Sequence, residues 1–252
     1  MAGCSCIAGK VKKTEAYIKG RVGMEHRIAI ITARGGSKRI PRKNIKLFCG
    51  RPIIAYSIIA AKNSGLFDEV MVSTDDDEIA QIAGEYGASV PFMRSAETSD
   101  DFATTRDVIR EVIGKYKELG REFEYVACIY PTAPFVTSQV LQEAVKVLDE
   151  SGATCLEPVV AYSFPIQRSY AIEDNRIQKN CPDLYGKRSQ DLQKMYHDAG
   201  QFYIGKTEFV IENGFASSDT VPFILSETDV QDIDTITDWK LAELKFKMRD
   251  GE

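Results

Sequence analysis

From Arg27 to Tyr162, apolar runs rich in β-branched residues alternate with helix-patterned segments, and that alternation restricts the fold more than any other feature. The segments 27–33 (RIAIITA), 69–74 (EVMVST), 89–93 (SVPFM), 125–130 (YVACIY) and 154–162 (TCLEPVVAY) read as strands. Between them, 53–65, 75–87, 104–120 and 137–152 read as helices, the first closed by a glycine and the second with acids in its first turn. The 104–120 helix is amphipathic, with Val108, Ile109, Val112, Ile113, Tyr116 and Leu119 expected on its buried face. Near-continuous apolar strands separated by helices predict a mostly parallel sheet covered on both faces, an α/β fold.

After Tyr162 the rhythm changes. Polar and aromatic segments run through Gln190, followed by strand patterns at 201–205 and 221–225 and a closing helix over 235–248. The expected organisation is one domain over 25–252 with an inserted arm at about 162–200. Residues 1–24 show no periodicity and are expected to form a disordered extension, with the functional start at Met24.

Composition removes several function classes. A formal charge of −5 argues against a general nucleic-acid binder. Six cysteines without a CxxC, several of them inside apolar segments, fit buried free thiols in a reducing, cytoplasmic compartment better than a disulfide framework or a zinc site. No run reaches the ~20 apolar residues needed to span a bilayer.

Against that acidic background, the stretch 32–44 (TARGGSKRIPRKN) holds Arg34, Lys38, Arg39, Arg42 and Lys43 and no acid. It follows the first strand, the place where open α/β sheets bind ligands. Gly35 and Gly36 let backbone N–H groups approach an anion, and Ser37 adds a hydroxyl. A triphosphate needs this much charge and a neutral sugar does not. The loop is neither GxxxxGK[ST] nor GxGxxG, so the usual ATPase and dinucleotide readings lose their support. On the loop alone, a solvated basic turn and a non-catalytic anion-binding surface remain open. Near the C-terminus, Asp232 and Asp234 alternate around Ile233, which puts both carboxylates on one face of an extended segment. A helix cap and a site for a hard cation are both open there.

The loop pattern IIxARGGSKxIPRKNI resembles the opening signature of the CMP-sugar synthetases, cytidylyltransferases that activate sialic acid and related nonulosonic acids. The resemblance continues through VSTDDDEIA, RSAETSDDFATTRDVI, YPTAPF and DIDT, covering the chain from Arg27 to the last helix. Thr32 departs from it, standing where the family usually has proline. Arg39, Tyr130 and the segments SFPIQR, RSQDL and YHDAGQFY look like the pseudaminic acid branch of the family rather than the sialic acid branch.

The resemblance implies a three-layer, Rossmann-like nucleotide-diphospho-sugar transferase fold and a reaction between CTP and a nonulosonic sugar acid. It places Ala33, Arg34, Gly35, Gly36, Ser37, Lys43, Asn44, Arg94 and Thr105 around the nucleotide. Arg34, Lys43 and Asp234 become the catalytic candidates, and Asp232 and Asp234 the ligands of Mg²⁺. The sugar would meet Tyr130, Gln167, Arg168, Arg188, Gln190, His197, Gln201 and Tyr203, with Arg188 the first candidate for its carboxylate. Asp238 is read as helix surface. A homodimer formed through the arm is implied as well, with neither nucleic acid nor membrane as partner.

Overall fold

The computed structural model describes residues 25–250, so the expectation for residues 1–24 lies outside the described residues. Strand β1 (Glu25–Thr32) has Ile28, Ala29, Ile30 and Ile31 fully buried, because helices cover both of its faces. Full burial of each isoleucine contributes roughly 1.5–3 kcal/mol. Its parallel neighbours are β2 (Glu69–Ser73) on one side and β3 (Phe123–Ile129) on the other. The sheet continues through β8 (Phe202–Lys206) and β4 (Cys155–Ala161) to β9 (Thr220–Leu225). β8 runs antiparallel to both its neighbours, whereas β9 is parallel to β4. The sheet is therefore mostly parallel, with β8 reversed inside it.

Helices α1 (Ile53–Ser64), α2 (Asp77–Glu85) and α4 (Ser138–Ser151) pack Ile54, Ile58, Ile79, Leu141 and Ala144 onto the face carrying Ala29, Ile31 and Ile129. The opposite face carries Ile28, Ile30 and Cys128 and is covered by α3 (Thr105–Glu118) and α5 (Thr207–Asn213) through Ile109, Val112, Tyr116 and Val210. Local chemistry fixes the ends of these helices. The Asp76 carboxylate accepts the Ile79 N–H at 3.0 Å, and Thr104 and Asp107 form a reciprocal capping box. Gly65 and Gly152 close α1 and α4 in the left-handed conformation. The last helix, α6 (Ile236–Asp250), brings Trp239 and Ala242 to a third cluster with Ile40, Phe48, Ile53, Phe135 and Ile233.

Some expectations need correction. Segment 89–93 forms no strand; Ser89 alone bridges to Met71, and Pro91 lacks the N–H that would extend the pairing. Leu119 is 61% exposed, because the helix ends at Glu118 and Leu119 lies past its last turn. The arm contains a hairpin, β5 (Tyr170–Glu173) and β6 (Arg176–Lys179), turned by Asp174 and Asn175 at positive φ. It returns to the sheet as β7 (Tyr196–Asp198), antiparallel to β4.

Cys128, Cys155 and Cys181 are free, and burial pushes the Cys128 thiol up to about 12 and Cys155 up to about 11. Among the described residues no helix is long and apolar enough to cross a membrane.

Packing under β8 leaves no room at Gly205. A Cβ there would lie 2.7 Å from Cys155 Sγ and 2.7 Å from Val210 Cγ2. Gly205→Ala is expected to destabilise the fold by about 1–3 kcal/mol, read as a lower urea midpoint with an unchanged m-value.

Candidate active site

The chain leaves β1, visits β2 on one side and returns to β3 on the other, which opens a crevice beyond the carboxyl ends of β1 and β3. The crevice holds a cavity of about 490 Å³, lined by the basic loop, by Tyr130, Pro131 and Thr132 after β3, by Asp101 and by Asp234. Of the loop, Arg34, Ser37, Lys38, Arg39, Lys43 and Asn44 line it.

Each cation is held against an acid or a carbonyl. Arg34 Nη1 donates to Asp101 Oδ1 at 2.8 Å and to the Asp100 carbonyl at 2.9 Å. Lys38 shares the Asp101 carboxylate. Arg39 Nη1 lies 2.9 Å from Asp234 Oδ2. Lys43 Nζ donates to the Ile233 carbonyl at 2.7 Å and lies 3.7 Å from Asp234 Oδ1. Arg42 faces away from the cavity and pairs with Asp76 and Glu78. Its backbone is left-handed, at φ 55°, a conformation that non-glycine residues hold only when neighbours enforce it. That turn starts the short helical turn Lys43–Ile45, from which Lys43 and Asn44 reach the cleft. Asn44 is buried and donates Nδ2 to the Arg34 carbonyl at 2.9 Å, so it fixes the loop's two ends together.

The glycines divide their work differently from the sequence expectation. Gly35 does not offer its N–H to the cleft; it donates to Asp75 Oδ1 at 2.8 Å. A Cβ on Gly35 would come within 2.8 Å of Asp76 Oδ2, so close packing against the start of α2 requires glycine there. Gly36 has open space around it. Ala33 is fully buried and bonded to the Ser73 carbonyl, beneath the cleft rather than in it. Arg94 is buried too. Its guanidinium donates to Ser73 Oγ at 3.0 Å and to the Ser73 carbonyl at 2.6 Å, and burial lowers its pKa. It braces the end of β2 instead of lining the cavity. Thr105, the first residue of α3, adjoins the Tyr130 hydroxyl.

Asp234 lines the cavity, while Asp232 is exposed beside it and outside its lining. Loss of hydration around its carboxyl and the neighbouring Asp234 raise Asp232 above its usual range, opposed by Lys43. Asp238, expected on the helix surface, instead accepts the Thr235 N–H at 2.7 Å and the Thr235 hydroxyl at 2.8 Å, capping α6. The carboxylates therefore split into a cap and a separate pair at the cleft.

The sugar candidates separate into three groups. Tyr130 lines the cleft, and Tyr203 stacks edge-on against it with ring centroids 5.6 Å apart. Gln167, Arg168, Arg188 and Gln190 lie on the arm and do not line the cleft. Gln167 donates to the Gln193 carbonyl, Arg168 to the Lys187 carbonyl, and exposed Arg188 to Asp191 Oδ2 at 2.8 Å. His197 is exposed on β7, its ring 4.9 Å from that of Tyr162. Gln201 is buried in a second cavity of about 310 Å³ with Phe135, Val140 and Arg249. The reason is local: left-handed Gly200 and the extra residues between β7 and β8 interrupt the two-residue alternation that would place Gln201 with Tyr203. Asp101 was missed in the sequence, because one acid among several in a polar segment has no spacing that marks it.

The segment carrying Asp101 hangs on Glu111 of α3, which accepts the Ser95 N–H at 2.8 Å, Lys115 Nζ at 2.5 Å and the Thr98 hydroxyl. Burial raises this carboxyl, but the hydrogen bonds from Lys115, Thr98 and Ser95 outweigh it and hold the pKa at about 2. A depressed folded pKa stabilises above the ordinary value of 4.5, and the contribution disappears as pH falls from 4.5 towards 2. Glu111→Gln is therefore expected to lower stability near neutrality, with the gap to wild type closing across that window in a pH series of urea melts.

Residues 28–209 match the family model described as Cytidylyltransferase. The chain is 41% identical over 223 residues to the pseudaminic acid cytidylyltransferase of Campylobacter jejuni subsp. jejuni, covering 88% of this chain and 96% of the relative. It is 37% identical over 233 residues to the CMP-N,N'-diacetyllegionaminic acid synthase of Legionella pneumophila subsp. pneumophila, covering 86% and 94%. The fold is similar to that of CMP:2-keto-3-deoxy-manno-octonic acid synthetase complexed with CTP, with a TM-score of 0.64 over 90% of this chain and all of that one, at 17% identity. A family match over most of the chain, joined to a cationic crevice at the turning point of the sheet, leads to one conclusion: this protein belongs to the cytidylyltransferase family.

Proposed function

We propose that the protein transfers CMP from CTP to the anomeric hydroxyl of pseudaminic acid, releasing pyrophosphate. The observation that carries the reading is the cleft itself, where Arg34, Lys38, Arg39 and Lys43 converge opposite Asp234. Four cations in one crevice match the charge of a triphosphate, and carboxylates within that crevice have no purpose in a simple anion-binding surface. The similarity to a pseudaminic acid cytidylyltransferase over nearly the whole chain supports the choice of sugar.

In this reading the anomeric oxygen attacks the α-phosphorus in line, the bond to the bridging oxygen breaks, and pyrophosphate departs with the pair. Such transfer depends on positioning and charge neutralisation. Arg34 and Lys38 must exchange Asp101 for phosphate oxygens when nucleotide enters. Arg39 and Lys43 stand ready at the Asp234 end.

A divalent cation fits the donor set. Asp232 and Asp234 alternate around buried Ile233, and a cation held between them would relieve the repulsion of two like charges so close in the chain. Among the described residues no cluster of three or more His, Cys, Asp or Glu forms a complete metal cage. Two carboxylates completed by phosphate oxygens and water suit Mg²⁺, which usually keeps such a mixed shell. Those two residues would hold it, and the ion would neutralise the triphosphate and polarise the α-phosphate. We also place the enzyme in the cytoplasm, consistent with its free thiols, and as a homodimer joined through the arm, where Phe164 and Ile172 lie exposed.

The reading is tested by pyrophosphate release. Turnover is expected with CTP and not at equal rates with UTP or ATP. The ratio kcat/KM should favour pseudaminic over N-acetylneuraminic acid by at least about a hundredfold, because more than one substituent differs. Comparable rates with the two sugars would remove the pseudaminic assignment. Asp234→Asn is expected to abolish turnover with the fold retained. Asp238→Asn should keep kcat and lose about 0.5–1 kcal/mol of stability, as befits a cap. Near-normal turnover by the Asp234 variant at saturating Mg²⁺ would remove the metal-binding role.

A further inference from the structure

Two carboxylates line the cleft, Asp101 and Asp234. The proposed reaction uses Asp234 and asks of Asp101 only that it give way. Asp101 belongs to the segment between α2 and α3, which is fastened at both ends. At one end the Glu111 carboxylate accepts the Ser95 N–H at 2.8 Å and the Ser95 hydroxyl at 3.1 Å. At the other, Thr104 and Asp107 cap α3. Between these points Asp100 Oδ1 accepts the Phe102 N–H at 2.9 Å and the Ala103 N–H at 2.7 Å, which folds the chain into a tight turn at Asp101. The tip lacks an apolar anchor, since the Phe102 side chain is 89% exposed. Arg34 and Lys38 hold it against the cleft, with Arg34 Nη1 2.8 Å from Asp101 Oδ1 and Lys38 Nζ on Oδ2.

Ion pairs as exposed as these are weak, because water screens them. The same two cations keep the Asp101 carboxyl below its usual range, so it is an anion at neutral pH. A carboxylate tethered by a few residues returns to its partners at an effective concentration on the order of millimolar. Such a group yields to a polyphosphate and still competes with it while it is bound. The competition weakens every bound anion, and it matters most for one held by phosphate contacts only. A nucleotide brings a base and a ribose as well, whereas pyrophosphate brings neither.

We infer that Asp101 is a tethered counter-ion, a specificity-determining residue that competes with phosphate oxygens for Arg34 and Lys38 and so promotes release of pyrophosphate. This rests on the proposed reaction, in which pyrophosphate is the leaving product. Asp101 touches no reacting atom in this role. It reclaims the cations as each phosphate contact loosens, and the product escapes before it is bound again. A residue that merely steadied Arg34 would act in the opposite sense, because its loss would weaken phosphate binding.

The test uses the full-length chain with inorganic pyrophosphate as the probe, its binding measured by calorimetry with Mg²⁺ at fixed ionic strength. Asp101→Asn keeps the shape of the side chain and removes its charge. It is expected to bind pyrophosphate about three- to tenfold more tightly than wild type, the range that two exposed ion pairs allow. Asp101→Glu keeps the charge and should stay within about twofold of wild type. In turnover with CTP and pseudaminic acid, Asp101→Asn should lower the inhibition constant of pyrophosphate by the same factor, with no rise in KM for CTP. If Asp101→Asn binds pyrophosphate no more tightly than wild type, the inference is overturned, while wild-type turnover leaves the proposed reaction standing. If wild type turns over no nonulosonic acid, the proposed reaction fails, and the calorimetric comparison still decides whether Asp101 competes for the cations.

Discussion

Five cations within thirteen residues repel one another, and the architecture around the crevice is the set of acids that makes this loop tolerable. Those acids come from three remote segments. Asp75, Asp76 and Glu78 arrive with the start of α2, Asp101 with the segment before α3, and Asp234 from just before α6. In the structure the loop is therefore neutralised without ligand. In the proposed reaction a triphosphate would meet cations that are already held in place by these acids, so less conformational entropy would be lost on binding. The same arrangement gives Arg42 a different duty from its neighbours. It is anchored away from the cavity and spends its charge on shaping the loop.

Apolar packing makes this electrostatic arrangement durable. Ile40 from the loop and Ile233 from between the two aspartates meet in one cluster with Phe48, Phe135 and Trp239. The Lys43 bond to the Ile233 carbonyl spans 190 residues of sequence. The basic loop and the carboxylate segment are thus seated on a common buried platform, and neither can shift without disturbing the other. This is how a site assembled from opposite ends of a chain keeps the sub-ångström order that group transfer requires.

The alternation of strands and helices was legible because strands buried on both faces must be continuous apolar runs, and Ile28 to Ile31 obey that rule. Strand direction was not, since nothing in QFYIG distinguishes a parallel from an antiparallel neighbour. Helix α5 is seven residues long, too short to show a period. At the site, the cations and Asp234 were readable because charge density and motif order both marked them. Gln201 was misplaced by a local break in alternation that only backbone geometry exposes. Gln167, Arg168, Arg188 and Gln190 sit on an arm whose path the pattern of residues does not define.

Beneath the cleft, Cys128 stands on β3 two residues before Tyr130, fully enclosed and held as a thiol by its surroundings. At neutral pH almost none of it is thiolate, the form that peroxides and alkylating agents attack. The floor of the site is in this way protected from oxidants by sheer exclusion of charge. Among the described cysteines, the part-exposed thiols are Cys49, in a tight turn, and Cys181, on the arm. Among these, labelling would thus report on Cys181 of the arm before Cys128, and the chemistry below the crevice would pass unrecorded by such reagents.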